Sequence, residues 1–368
     1  MTDNEGLMRV IDVDGHVREA DDLWERYLEP PFRARAPKIE RVPNGQLLFL
    51  LEGKRHHRKP DESPFQIKAD DSPVNEHRDL ATDPFERLKD MDRDGIERGM
   101  LFPSAGLYLP SVEEDSYAVA LCRAYNNWLY DYCSADRTRL MGVGVIPVQD
   151  IKAAVAETRR VILELKFKAV FVRPNPVEGR TLDDAYYDPL YKTLQDLGAP
   201  LMVHEGSGAY LSTAGADRFP GQWFFTHTVS HPFEQMLASL SLICQGTLDR
   251  HPNLQVVFLE SGAGWLPYWL WRMDEHYEIL RFQVPWLKMK PSDYFRRQCF
   301  TSCEPDETRL GEVIDVIGAD RVLFASDYPH WDARLSGSPQ AVMDRTDLSL
   351  DTKRKIMGEN AARLLRLD

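Results

Sequence analysis

Short apolar runs rich in β-branched residues alternate along this chain with longer segments of helical period. That alternation restricts it to strand-helix-strand units around a parallel sheet. Eight runs qualify as strands: residues 8–13, 99–102, 140–146, 169–172, 200–204, 254–260, 298–301 and 321–325. Helices are expected over 115–133, 151–165, 187–197, 232–249, 265–280, 306–317 and 351–365. Eight strands at this spacing suit a closed barrel better than an open sheet. The expected fold class is therefore α/β, a distorted (β/α)8 TIM barrel.

The 368 residues would allow two domains at about 150 residues each, but a barrel of this kind takes about 250 residues or more as one unit. No linker or repeat divides the chain, so a single domain over 1–368 is expected. Residues 30–83 break the alternation, being rich in Pro, Arg, Lys, Asp and Glu, with one hairpin-like run at 46–51. They read as an insertion after the first strand, placed at the rim where barrel active sites form, and are expected to act as a lid.

The charge balance narrows the partners. The chain has 45 Lys and Arg against 58 Asp and Glu, a net −13 that repels a phosphate backbone, and no basic stripe interleaved with aromatics offsets it. Nucleic acid is excluded as a partner, a small-molecule substrate is expected, and a homo-oligomer is left open. Cys122, Cys133, Cys244, Cys299 and Cys303 are scattered and odd in number, which fits a reducing compartment. The first residues are acidic and polar, and no run approaches the ~18 apolar residues of a membrane span. A cytoplasmic protein without membrane attachment is expected.

The ionisable residues at strand ends carry the chemistry. Asp14 and His16 stand two apart at the end of the first strand, so period-2 alternation points both to one side. His204 closes the fifth strand, Glu260 the sixth, and Asp327 follows the eighth. A lone His at a strand end is ordinarily a hydrogen-bonded rim residue, and a lone Asp after a strand ordinarily caps a helix. Five such residues at the matching ends of four strands form a donor cluster suited to zinc, manganese or ferrous iron. Other conspicuous features weigh less. Arg55 to Lys59, with His56 and His57, reads as a solvated face. Trp265, Tyr268, Trp269 and Trp271 read as core or subunit interface, and Cys299 and Cys303 as buried and non-catalytic.

The run from Val10 to Val17, the Val203-His204-Glu205 strand end, the Leu259 to Trp265 turn, the Ser326 to His330 turn and the closing Gly358 to Leu364 segment resemble the amidohydrolase-related family. This is the second branch of the metal-dependent amidohydrolases, and its members include decarboxylases and hydrolases. The resemblance implies metal ligation by Asp14, His16, His204 and Asp327, with the metal activating water or polarising a substrate oxygen. Two departures follow. Where dinuclear members carry a bridging carboxylated Lys on the fourth strand, this chain has Arg173, which excludes a lysine-bridged pair. Where decarboxylases carry an acid/base His at the end of the sixth strand, this chain has Glu260, a poor proton donor unless burial raises its pKa.

His231 is expected to open the helix between strands five and six, and His330 follows Asp327 by three residues, so both should reach the same mouth. With Glu260 they are the expected catalytic or orienting groups, and Glu260 and His231 are further candidate ligands. One or two divalent ions are accommodated by this inventory. The leading expectation is a metal-dependent enzyme that hydrolyses or non-oxidatively decarboxylates an organic acid or acyl substrate. A dinuclear non-haem iron monooxygenase on the same barrel and a non-catalytic binding protein are the alternatives.

Overall fold

The computed structural model describes residues 8–41, 47–55, 81–206, 211–220, 222–330, 333–334 and 336–367. Eight parallel strands form one sheet: β1 (Ile11–His16), β5 (Arg98–Phe102), β6 (Leu140–Val145), β7 (Ala169–Val172), β8 (Leu201–His204), β9 (Val256–Leu259), β10 (Cys299–Cys303) and β11 (Val322–Phe324), in that spatial order. The backbone N–H of Asp327 donates to the carbonyl of Asp14 at 2.8 Å, and that of His16 to Tyr328 at 2.7 Å. The end of β1 is thereby stitched to the segment after β11, which nearly closes the TIM barrel.

Strands covered on both faces need continuous apolar sequence, which is why the eight runs were legible. All six residues of β6 are buried. Two of them must be glycine, because a Cβ on Gly142 would stand 2.5 Å from the Phe167 ring and one on Gly144 2.8 Å from Val161. The Ile151–Leu163 helix and the segment after it pack here closer than a side chain would allow.

The helices at 151–165, 187–197 and 265–280 appear as Ile151–Leu163, Asp188–Leu197 and Leu266–Leu280. The segment expected to be helical over 232–249 behaves differently. One helix spans Trp223–Cys244, with Pro232 inside it, and a separate turn covers Thr247–Arg250. A proline lacks only its own N–H, and the helix runs through it from Trp223. The helix Pro84–Asp94 was not anticipated, although its signals are local: Asp83 accepts from the N–H groups of Phe85 and Glu86, and Gly95 closes it at φ 70°.

Part of the 30–83 insertion is described. It forms a small antiparallel sheet of β2 (Lys38–Arg41), β3 (Leu47–Leu51) and β4 (Lys54–Arg55). The Phe49 ring packs 5.6 Å from Tyr108, and Glu52 accepts from the N–H of Glu113 at 3.0 Å, so the hairpin rests on the loop after β5. His56 and His57 lie outside the described residues.

Candidate metal centre

β1 delivers its two ionisable side chains through an irregular strand end. Its register against β5 slips between Asp12 and Gly15, a bulge of the kind that re-aims side chains beside active sites. Asp14 and His16 are fully buried, as is His204 from the end of β8, and Asp327 is 6 % exposed. His204 Nε2 stands 3.1 Å from His16 Nε2 and 3.2 Å from Asp14 Oδ1. His16 Nε2 is 3.5 Å from Asp14 Oδ1 and 3.3 Å from Asp327 Oδ1. Asp14, His16 and His204 thus meet at one point, and Asp327 joins them through His16.

The outer nitrogens explain why the inner ones converge. His16 Nδ1 donates to the Pro103 carbonyl at 2.8 Å, and His204 Nδ1 donates to the Glu205 carbonyl at 2.5 Å. With protons held on Nδ1, both Nε2 lone pairs would face each other and the carboxylates, an arrangement that a cation between them would satisfy. Donor atoms sharing one ion at about 2.1 Å stand about 3.0–3.5 Å apart, which is the spacing seen here. Asp14 Oδ2 is moreover buried without a hydrogen-bond partner, and Asp327 Oδ1 faces only imidazole nitrogens, of His16 at 3.3 Å and His330 at 2.8 Å. The donor set fits a divalent metal, and His16, Asp327 and His330 form an overlapping group of ligating atoms.

The electrostatics carry the same signature. Burial and the nearby His330 press the His16 imidazole down, but Asp14 and Asp327 outweigh them and hold it at about 9. Burial raises Asp327, yet His330 and His16 bring it below the usual carboxylate range.

Glu260 and His231 stand outside this convergence. Glu260 follows β9 with a left-handed backbone, φ 54°, and its Oε2 lies 3.2 Å from Nδ1 of His204, the nitrogen turned away from the cluster. The same oxygen is 3.6 Å from His231 Nε2, and Oε1 is 3.7 Å from His330 Nδ1. Glu260 therefore sits among three imidazoles. Burial would raise its pKa, but His204 and His231 hold it well below the ordinary value, so it is a carboxylate and not a proton donor. His231 comes from the middle of the Trp223–Cys244 helix, not from its start. Its Nδ1 faces the His227 carbonyl at 3.3 Å, and its Nε2 lies 3.6 Å from Glu260 and 3.7 Å from Glu205. Despite burial, these two carboxylates raise it to about 9. His330 stacks on His16 with ring centroids 3.9 Å apart and places Nδ1 2.8 Å from Asp327 Oδ1, which carries its pKa well above the usual value against the effect of burial.

Three supports were not anticipated. Arg173, fully buried, pairs with Glu205 at 3.1 Å and donates to the Leu107 carbonyl at 2.9 Å. Asp12 accepts from Ser326 through both its backbone and its hydroxyl. Arg87 donates to the carbonyl of His16 at 2.7 Å, and a Cβ on Gly15 would stand 2.3 Å from its guanidinium. The glycine between the two candidate ligands was the sequence signal for Arg87.

The amidohydrolase family profile matches residues 11–367. The chain belongs to the amidohydrolase family. Among curated relatives, 2-amino-3-carboxymuconate-6-semialdehyde decarboxylase of Dictyostelium discoideum is 28% identical over 292 residues, covering 78% of this chain and 77% of the relative. Gamma-resorcylate decarboxylase of Rhizobium radiobacter is 28% identical over 303 residues, 77% of this chain and 86% of the relative. Solved structures agree on the amidohydrolase barrel. An amidohydrolase from Mycobacterium avium subsp. paratuberculosis superposes with a TM-score of 0.79 at 24% identity, covering 97% of this chain and 99% of that one. A dihydroxybenzoic acid decarboxylase from Polaromonas sp., with bound manganese and the inhibitor 2-nitroresorcinol, superposes with a TM-score of 0.71 at 22% identity, covering 98% and 97%.

Proposed function

We propose that this amidohydrolase-family chain is a metal-dependent, non-oxidative decarboxylase of a small aromatic or unsaturated carboxylic acid. The observation that carries the reading is the convergence of Asp14, His16 and His204, joined through His16 by Asp327, with the buried Asp14 Oδ2 left unpartnered there. Curated relatives with decarboxylase activity supply the reaction class. These four residues would hold one divalent ion, manganese or zinc by the chemistry of a mixed imidazole and carboxylate set. When bound, it would act as a Lewis acid toward substrate oxygen.

This chain's own residues then have separable tasks. Loss of carbon dioxide leaves an electron pair on carbon, and a proton must replace the carboxylate. Glu260, held ionised, cannot give it. The His330 proton is engaged by Asp327 at 2.8 Å. His231 keeps its proton at longer range from two carboxylates, and we assign it as the donor. Arg173 neutralises Glu205 and so holds the anion that faces His231. The hairpin of the 30–83 insertion, seated on Tyr108, would cover the mouth. The dinuclear, dioxygen-using alternative depended on Glu260 as a ligand and loses that support, since its carboxylate faces the outer nitrogen of His204.

The test is metal analysis of unchelated protein together with carbon dioxide release from a panel of hydroxybenzoates, 2,6-dihydroxybenzoate included, and unsaturated dicarboxylic acids. About one divalent ion per chain and turnover abolished by chelation and restored by added manganese or zinc are expected. Metal-free protein that metal cannot activate overturns the reading.

A further inference from the structure

The loop after β5 touches the candidate metal centre at two points. The Pro103 carbonyl accepts from His16 Nδ1 at 2.8 Å, and the Ser104 hydroxyl lies 3.4 Å from His330 Nε2. Further along, the Leu107 carbonyl accepts from the buried Arg173 at 2.9 Å. Regular secondary structure does not hold these groups in place. The loop continues as the 3-10 turn Ala105–Ser111, with Pro110 inside it, and Ser104 at its start makes no side-chain cap. The first N–H groups of such a turn have no partner within it. The Ser104 hydroxyl is engaged elsewhere, donating to the Val17 carbonyl at 2.9 Å.

Glu19 supplies the cap from the segment after β1. Its Oε2 accepts from the N–H of Ala105 at 3.0 Å and its Oε1 from the N–H of Gly106 at 2.8 Å, one oxygen to each donor. Gly106 permits this approach because it lacks a Cβ, and one built there would stand 2.7 Å from Cβ of Pro103 and 3.5 Å from Glu19 Oε1. Glu19 follows His16 by three residues, so the segment that delivers a candidate ligand also holds the loop that orients it. The contacts close on themselves, from His16 to Pro103, from Ala105 and Gly106 to Glu19, and along the chain back to His16.

We infer, resting on the reading of Asp14, His16, His204 and Asp327 as a metal centre, that Glu19 is a positioning residue for it. By holding Ala105 and Gly106, Glu19 keeps the Pro103 carbonyl on Nδ1 of His16 and so leaves Nε2 as the nitrogen that faces the ion. A neutral imidazole offers a lone pair on one nitrogen only while the other carries the proton, and the acceptor of that proton sets both the tautomer and the orientation of the ring. Glu19 thus acts through Pro103 and not on the ion. The task needs a carboxylate, because each of two converging N–H donors meets an oxygen. A carboxamide would turn its own NH2 group on one of them.

Cobalt(II) titration of the metal-free full chain tests this role, read by competition with a chelator and by visible absorption, whose d–d bands report ligand geometry. Glu19→Gln should weaken cobalt affinity by about 10- to 100-fold and shift the bands, with unchanged far-ultraviolet circular dichroism. Gly106→Ala leaves the carboxylate in place but displaces the N–H it holds, and should give the same loss. The double variant should bind no more weakly than the weaker single one, because both substitutions break one contact. Should these variants misfold, Glu19→Asp, which keeps both oxygens on a shorter stem, should bind cobalt more weakly than wild type and with shifted bands. Wild-type protein that takes up no cobalt overturns the metal centre and this role with it. Wild-type binding that Glu19→Gln or, where that misfolds, Glu19→Asp matches in affinity and spectrum overturns the role of Glu19 alone. So do single losses that simply add in the double variant.

Discussion

The carboxylate of Asp12 accepts two hydrogen bonds from Ser326, from the backbone N–H at 3.0 Å and from the hydroxyl at 2.6 Å. Asp12 lies two residues before Asp14 and Ser326 one before Asp327, so this contact sets the spacing of two candidate ligands from opposite ends of the chain. Removing the hydroxyl leaves a buried carboxylate with one partner fewer, which costs about 1–3 kcal/mol. Ser326→Ala should therefore lower the thermal midpoint and weaken metal binding about 10-fold or more, in the manner of supports behind metal ligands. Calorimetry and metal titration check both, and unchanged metal affinity would assign Asp12 to barrel closure alone.

Replacing a ligand should act differently from replacing a support. Asp327→Asn keeps the shape of the side chain but removes the anionic donor, and His204→Ala removes one of the two inner lone pairs. Both should lose metal by more than about 100-fold in affinity, and with it turnover, because outer supports alone are worth 10- to 100-fold. Glu260→Gln should retain the metal, since its carboxylate faces Nδ1 of His204 and not Nε2. Metal content by mass spectrometry after equilibrium dialysis distinguishes the two classes. Loss of metal from Glu260→Gln would return Glu260 to the ligand set.

Arg173 and Glu205 form an ion pair with neither side chain exposed. Arg173→Met should destabilise the protein by about 3–5 kcal/mol, because Glu205 would remain charged and uncompensated in the interior. Arg173→Met combined with Glu205→Gln should recover much of that loss. Denaturant unfolding measures the difference, and a double variant no more stable than the single one would place the energy in Arg173's other contacts, with Leu107 and Asn175.

How far the site was legible depended on whether a residue's position followed from chain periodicity. Asp14, His16, His204 and Asp327 were singled out because each lies at or just past a strand end, and a parallel barrel sends every strand end to one mouth. Glu260 also ends a strand, but its carboxylate lies toward the outer nitrogen of His204, a placement that no spacing rule encodes. His231 was assigned to a helix start through Pro232, whereas the helix begins at Trp223 and passes through the proline. Its reach into the mouth was anticipated for the wrong local reason. The pairing of Arg173 with Glu205 needed the neighbouring order of β7 and β8, which alternation alone does not give.

His231 gives the pH dependence its sign. Its folded pKa, raised by Glu260 and Glu205 to about 9 in spite of burial, exceeds the ~6.5 of an unfolded histidine. A histidine raised on folding contributes stability that is complete below the unfolded value and is lost as pH rises through the folded one. Wild-type protein should therefore lose stability between about pH 6.5 and 9, and His231→Gln should flatten that part of the profile. If His231 also supplies the proton, turnover should fall on the alkaline side near pH 9, and His231→Gln should lower kcat by about 100-fold or more while metal content stays at the wild-type level. Stability curves and kcat profiles taken in parallel separate the two roles. A flattened stability profile with unchanged kcat would leave His231 as the cation that holds Glu205 and Glu260 in place, and would move the proton transfer to another group.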